Sequence, residues 1–276
     1  MSNKILVIGL GQIGFSNAKY ISSLGLDVDG YDVNPQAVKK ALEAKVIKKE
    51  ALDFRDYDYY IICVSTHDLK DSSLPSLSAL NQVVTKIELE GKKNSLVGID
   101  STIPYGTTKM IAKFLENKFH VVHVPHRYYS KEEKEHGVKQ LRVMGADSEC
   151  CKEAGKHFYN KILKIPLHYV RSSGIAEVTK ITENTYRYIQ IAFAEQLKLL
   201  CNKENLNFDE LRNSVNTKWN VDILEARDGI NGHCLPKDCE MFSEFCMKNS
   251  IPDISIAAKN IDSTYRKNIK LPIVGQ

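Results

Sequence analysis

The sequence predicts an α/β fold: a doubly wound sheet followed by an all-helical domain built around one long central helix. Three observations predict it. Short apolar runs alternate with helical stretches from Lys4 to about Val170, the pattern of strands joined by crossover helices. A glycine-rich turn stands directly behind the first apolar run, at the strand end where open sheets bind ligands. From Gly174 to Glu204 the chain holds no proline and no further glycine, so a helix longer than the usual length of roughly 8–20 residues is expected.

The 276 residues are enough for two domains with their own cores, and 43% hydrophobic with 26% charged residues is ordinary globular composition. A net charge of +4, from 38 basic and 34 acidic residues, suits an anionic small ligand and not a nucleic-acid footprint. The seven cysteines, two of them adjacent at Cys150 and Cys151, lack the spacing of a disulfide framework, which places the protein in the reducing cytoplasm. No apolar run approaches the roughly 20 residues of a membrane helix. The lysine clusters at Lys45–Lys49 and Lys92–Lys93 read as solvated surface.

Lys4–Ile8 is a continuous apolar run, as in a buried parallel strand, and Gly9-Leu10-Gly11-Gln12-Ile13-Gly14 follows at once. Gly9 makes the tight turn, Gly11 lets backbone approach a pyrophosphate, and Gly14 allows close helix–strand packing. Gln12 and Ile13 open the helix whose N-terminus would hold the phosphates. A second strand, Asp27–Tyr31, ends at Asp32, about 20 residues on, where a carboxylate would bind the adenosine ribose and repel a 2′-phosphate. This is the Rossmann-type fingerprint, and it favours NAD over NADP. A helix over Pro35–Ala44 and a strand over Tyr59–Val64 come next, then Ser65 and Thr66 at the ligand-binding edge and His67 as a polar loop residue. A helix over Leu77–Ile87 and a strand over Ser95–Asp100 lead to the loop Ser101–Thr108, with Ser101 and Thr102 as rim candidates or helix caps. The strand Phe119–Val124 runs into a polar loop at Pro125–Tyr129, followed by a charged, solvated segment from Lys131 to His136. Leu141–Gly145, a helix from Ser148 to Asn160 and a strand over Pro166–Val170 complete a first domain expected to span residues 1–171.

Residues 172–276 are then a helical catalytic and dimerisation domain, with further helices at about Asp209–Asn216, Pro236–Asn249 and Asp253–Asn268. On the long helix Glu177, Lys180, Asn184 and Arg187 recur three or four apart and so share a face. They could form a solvated stripe, but a lysine and an asparagine one turn apart can also hold an alcohol or oxyanion. Asn231-Gly232-His233-Cys234-Leu235-Pro236-Lys237-Asp238 sets a thiol before a helix start near Pro236, with Lys237 able to supply positive field. Taken alone it could equally be a buried cysteine in a helix-entry turn. A zinc set of His233, Cys234 and Cys239 lacks a second ligand pair, and no metal is expected.

Ser101-Thr102-Ile103-Pro104 with Gly106-Thr107-Thr108, the helix from Ala176 to Arg187, and Gly232-His233-Cys234 with Pro236-Lys237-Asp238 together resemble the UDP-glucose/GDP-mannose dehydrogenase family. The match runs along essentially the whole chain, and the members acting on UDP-N-acetylmannosamine, which also carry His before the cysteine, are nearest. The resemblance implies oxidation of a sugar primary alcohol to a carboxylate by two NAD in succession, in nucleotide-sugar metabolism for polysaccharide biosynthesis. Lys180 and Asn184 would hold the alcohol and oxyanions, Cys234 would form a thiohemiacetal and then a thioester, and Asp238 would assist proton transfer and hydrolysis. His126 stands where the family places a glutamate, and Asn220 about where relatives carry a substrate-reading arginine. Relatives continue into a second Rossmann-like domain, whereas here a helix-sized tail follows Ile251. A homodimer through the long helix and a sugar or nucleotide-sugar substrate are expected, with no nucleic-acid or membrane partner. The residues also allow a two-electron dehydrogenase of a small hydroxy acid or alcohol, or a non-catalytic NAD-binding subunit that needs a partner.

Overall fold

The computed structural model describes residues 3–129 and 132–269; Lys131, at the head of the expected charged segment, and the tail beyond 269 lie outside them. Contacts divide the chain into two units, Met1–Thr66 with Ser76–Lys180, and His67–Pro75 with Ile181–Gln276.

The first unit is built on a seven-stranded sheet in the order β2-β1-β3-β4-β5-β6-β7. The strands are β1 (Ile5–Ile8), β2 (Val28–Tyr31), β3 (Tyr59–Ile62), β4 (Leu96–Ile99), β5 (His120–His123), β6 (Arg142–Gly145) and β7 (Leu167–Val170). All neighbours are parallel except β5 and β6. The order reverses between β2 and β3 across β1, so the glycine turn behind β1 sits at a topological switch point. Alternate β1 residues feed opposite faces: Ile5 and Val7 join one buried cluster, Leu6 and Ile8 the other. Helices α1 (Gln12–Ser23) and α2 (Pro35–Glu43) cover the first face; α3 (Ser78–Glu90) and α4 (Thr107–Phe114) cover the second. A short helix α5 (Glu133–His136) precedes β6, and α6 (Glu149–Gly155) continues as a π-helix, Lys156–Ile162, that buries both Phe158 and Tyr159.

One sequence expectation is corrected here. The Lys45–Lys49 cluster is not simply solvated surface. Its lysines are exposed, but Val46 and Ile47 are buried, and Lys48 N–H and Ala51 N–H donate to the carbonyls of Val28 and Gly30 on β2. A parallel bridge between Gly30 and Glu50 leaves this segment as a one-residue strand outside β2. A run of lysines with only two apolar residues between them conceals such a pairing in the sequence.

The second unit is helical. The long helix α7 (Ser173–Glu204) spans 32 residues; its first turns, as far as Lys180, belong to the sheet unit, where Ser173 bonds Asp147. Further along, Tyr188 and Ala192 pack with Ile230, with Cys239 of α9 (Cys234–Lys248) and with Ala258 of α10 (Ser255–Asn268). Ala194 and Cys201 pack with Phe208 of α8 (Phe208–Val215) and with Ile223. Among the described residues no helix is long and apolar enough to cross a membrane.

Candidate active site

In the sheet unit the glycine turn has the form a dinucleotide needs. Gly9 lies at φ +88°, and a Cβ there would meet the Cys63 carbonyl oxygen at 2.7 Å. A Cβ on Gly14 would fall 1.6 Å from the Gly9 carbonyl oxygen, so helix and turn touch backbone to backbone. Gly11 is the opposite case: a Cβ there meets nothing within 4 Å, which leaves open space at the α1 N-terminus. No side chain caps that end and its first turn carries no acid, so the backbone around Gln12 and Ile13 offers its donors to an anion. The Asp32 carboxylate accepts from the N–H groups of Leu10 at 2.6 Å and Asn34 at 2.8 Å. Each oxygen keeps a lone pair for a ribose hydroxyl. These residues fit NAD.

The other cofactor candidates divide. Ser65 is exposed at the end of β3. Thr66 is buried and its hydroxyl donates to the Thr102 carbonyl at 2.7 Å, while the Ser101 hydroxyl donates to the Val64 carbonyl at 2.7 Å. These hydroxyls therefore tie the strand ends together, and Thr102 is joined to that knot through its backbone. Glu177 is fully buried and accepts from Gly106 N–H at 2.6 Å and Thr108 N–H at 2.7 Å, so the long helix caps α4. Its place on one face with Lys180 gave no sign of this capping, which links residues 69 apart or more.

His126 is buried in a polar cluster. Arg142 bonds Asp100 at 2.7 Å, and its second nitrogen reaches the Asn17 side-chain oxygen at 3.1 Å and His126 Nε2 at 3.0 Å. Tyr159 and Asn17 also donate to Asp100, at 2.7 and 2.9 Å. Tyr128 N–H faces His126 Nδ1 at 2.8 Å. Guanidinium never accepts, so both ring nitrogens face donors and imidazolium is disfavoured. Burial, then Arg142 and Lys180, hold His126 well below the usual histidine range. Burial and Lys180 also bring His123, at the end of β5, down to about 3. Lys180 thus lies near two neutral imidazoles.

In the helical unit a second group converges. Asn184 donates to Asp238 at 2.5 Å, and Lys237 pairs with the other Asp238 oxygen at 2.5 Å, with Lys237 and Asp238 both buried. Lys237 is therefore engaged by Asp238 and does not simply face the thiol. Helix α9 begins two residues earlier than expected: Lys237 N–H closes the first turn onto the His233 carbonyl, and Cys234 becomes its first residue. Pro236 lies within that first turn, where no helical N–H partner exists to be lost. Gly232, at φ +80° with open space beyond it, delivers the chain to this point. Asp262 of α10 accepts from Ile230 N–H at 2.8 Å, and Tyr265 donates to the Arg227 carbonyl at 2.8 Å, anchoring the lead-in. The Cys234 thiol is exposed at the end of a 15-residue helix with no side-chain cap. The ring of His67, the polar loop residue after β3, lies 4.9 Å from that of His233. The excursion His67–Pro75, closed by a bridge between those two residues, carries it there. Nothing local in the sequence signals this, because the two rings are far apart along the chain. Lys180 and Asn184 stand one turn apart on α7, one in each unit. Asn220 is exposed.

Two family models match this chain: the NAD binding domain of the UDP-glucose/GDP-mannose dehydrogenase family over residues 40–163, and the central domain of the same family over residues 175–264. The chain belongs to the UDP-glucose/GDP-mannose dehydrogenase family. Within the family, UDP-N-acetyl-D-mannosamine dehydrogenase of Pyrococcus horikoshii is 32% identical, covering 85% of this chain and 62% of its own length. The Campylobacter jejuni protein of the same name is 30% identical, covering 86% and 66%. The chain thus spans a little under two thirds of these relatives. The solved structure of the Pyrococcus horikoshii UDP-D-ManNAc dehydrogenase aligns with a TM-score of 0.79 at 29% identity, over 95% of this chain and 68% of that one. A 3-hydroxyisobutyrate dehydrogenase from Mycobacterium tuberculosis shares the fold, with a TM-score of 0.74 at 14% identity.

Proposed function

We propose that this member of the UDP-glucose/GDP-mannose dehydrogenase family oxidises the primary alcohol of a nucleotide sugar to the carboxylate, through a covalent adduct on Cys234. The observation that carries this reading is the linked set Asn184–Asp238–Lys237 in the first turn of the helix that Cys234 begins. A binding module or a simple two-electron dehydrogenase needs no thiol beside such a set.

NAD, when bound, supplies the hydride acceptor, and Gly9, Gly11, Gly14 and Asp32 are the residues that would hold it. Lys180 and Asn184 orient the alcohol and stabilise negative charge on its oxygen as the proton leaves. At the aldehyde level the Cys234 sulfur adds to the carbonyl carbon and forms a thiohemiacetal, so the reactive aldehyde stays attached. The positive end of α9 favours anionic sulfur at that step. Once oxidised to the thioester, the adduct is hydrolysed by water: the carbon–sulfur bond breaks, and the sulfur regains its proton. Asp238 is the base for that water, with Lys237 and Asn184 fixing its two oxygens. His126 is assigned to holding the loop after β5 against Arg142 and not to proton transfer.

We also infer a homodimer. Tyr186, Phe193 and Leu200 recur every seventh residue on α7 and are 62%, 48% and 52% exposed, an apolar seam suited to a second copy of the helix.

The direct test of the covalent step is intact-protein mass spectrometry of Asp238→Asn after mixing with NAD and UDP-N-acetylmannosamine. The reading predicts an accumulated acyl adduct that maps to Cys234 and is absent from Cys234→Ala. Turnover to the uronate by Cys234→Ala at the wild-type rate would contradict it.

A further inference from the structure

His123 lies at the carboxyl end of β5. At the opposite end of β5 a separate group of side chains gathers: His120, Cys150 and Cys151, with one ligand atom from each lying within 4.8 Å of the others. The fold brings them together. β5 and β6 meet antiparallel at His123 and Gly145. Following the two chains away from that bridge leads to His120 on one side and to Ser148, the cap of α6, on the other. The cysteine pair then falls in the first turn of α6. The Ser148 hydroxyl lies 3.1 Å from the Cys150 sulfur and accepts from Cys151 N–H at 3.3 Å, which fixes the backbone of the pair. Cys150 is exposed, His120 and Cys151 are half-buried, and neither thiol is in a disulfide.

We propose that His120, Cys150 and Cys151 form a three-ligand site for Zn2+. Two thiolates and an imidazole are a borderline-soft donor set that suits zinc and not Mg2+ or Ca2+. Tetrahedral zinc with bonds of about 2.0–2.3 Å holds its ligand atoms roughly 3.3–3.8 Å apart. Small rotations of these side chains therefore close the set. Glu149, the nearest acid in sequence, is paired with Lys152 at 3.1 Å, so the fourth position falls to water. Binding releases the two thiol protons to solvent and moves no electrons. The site shares no residue with the Cys234 group. His120 stands 30 residues before the adjacent pair Cys150 and Cys151, so the set has none of the paired short spacings by which zinc sites are read from sequence.

The test is a titration of the full chain with Co2+ as an optical probe, followed by Zn2+. One equivalent of Co2+ should produce thiolate-to-metal charge-transfer absorption, which Zn2+ then displaces. His120→Ala and Cys151→Ser should each weaken binding by more than about tenfold, while Cys234→Ala should leave the signal unchanged. On the unmodified chain, one equivalent of Zn2+ should shield Cys150 and Cys151 from iodoacetamide, read peptide by peptide, and leave Cys234 reacting as before. Absence of the charge-transfer band, its persistence in both variants, or shielding of Cys234 instead would overturn the assignment.

Discussion

Glu195 on α7 is fully buried among Tyr188, Tyr265, Asp262 and Arg266, and burial, reinforced by Asp262, raises its carboxyl to about 8. An unfolded glutamate loses its proton near 4.5. The folded state therefore keeps a proton that the unfolded state has lost between those two values. Its contribution to stability is full below about 4.5 and falls as pH rises through about 8. Glu195→Gln, which keeps the shape and removes the titration, should gain on wild type by a few kcal/mol between pH 5 and pH 8. Denaturant unfolding at both values checks this, and an equal difference at the two would contradict it. At this scale the sequence was legible where a residue type has one use. Gly9 makes the tight turn and Gly14 the close helix–strand contact that their spacing implied, because turn geometry allows little else. His126, His67 and Lys237 were less legible: their partners are Arg142, His233 and Asp238, and which polar group meets which is decided by tertiary packing.

Glu177 shows how one element positions another. Its carboxylate caps α4 through Gly106 and Thr108 and so fixes the loop that begins at Ser101. Glu177→Ala should cost about 1–3 kcal/mol, since two buried donors lose their acceptor. A thermal melt reads the loss, and faster hydrogen exchange confined to residues 101–110 would place it. Helix and strand positions were legible almost throughout, because short continuous apolar runs and period-3.6 patterns report burial directly. What escaped notice was pairing without pattern. The single bridge at Glu50 depends on Gly30 of β2, and the π-helical end of α6 buries Phe158 and Tyr159 side by side; local spacing reports neither. Helix α9 begins early for a local reason: the His233 carbonyl closes its first turn.

For the whole molecule, the family's NAD binding and central domains account for residues 40–163 and 175–264, and the long helix contributes residues to both units. The seam of Tyr186, Phe193 and Leu200 leads to a prediction about assembly. Phe193→Glu should convert a dimer to a monomer in sedimentation analysis, because a carboxylate at the centre of an apolar seam loses its hydration on pairing. A wild-type monomer, or an unaltered dimer in the variant, would contradict the seam. The proposed reaction is a four-electron oxidation with Cys234 as covalent anchor. It is tested most directly by the yield of NADH per UDP-N-acetylmannosamine consumed, in wild type and in Cys234→Ala. The account predicts two NADH per sugar in the wild type and loss of that yield in the variant; one NADH per substrate in both proteins would contradict it.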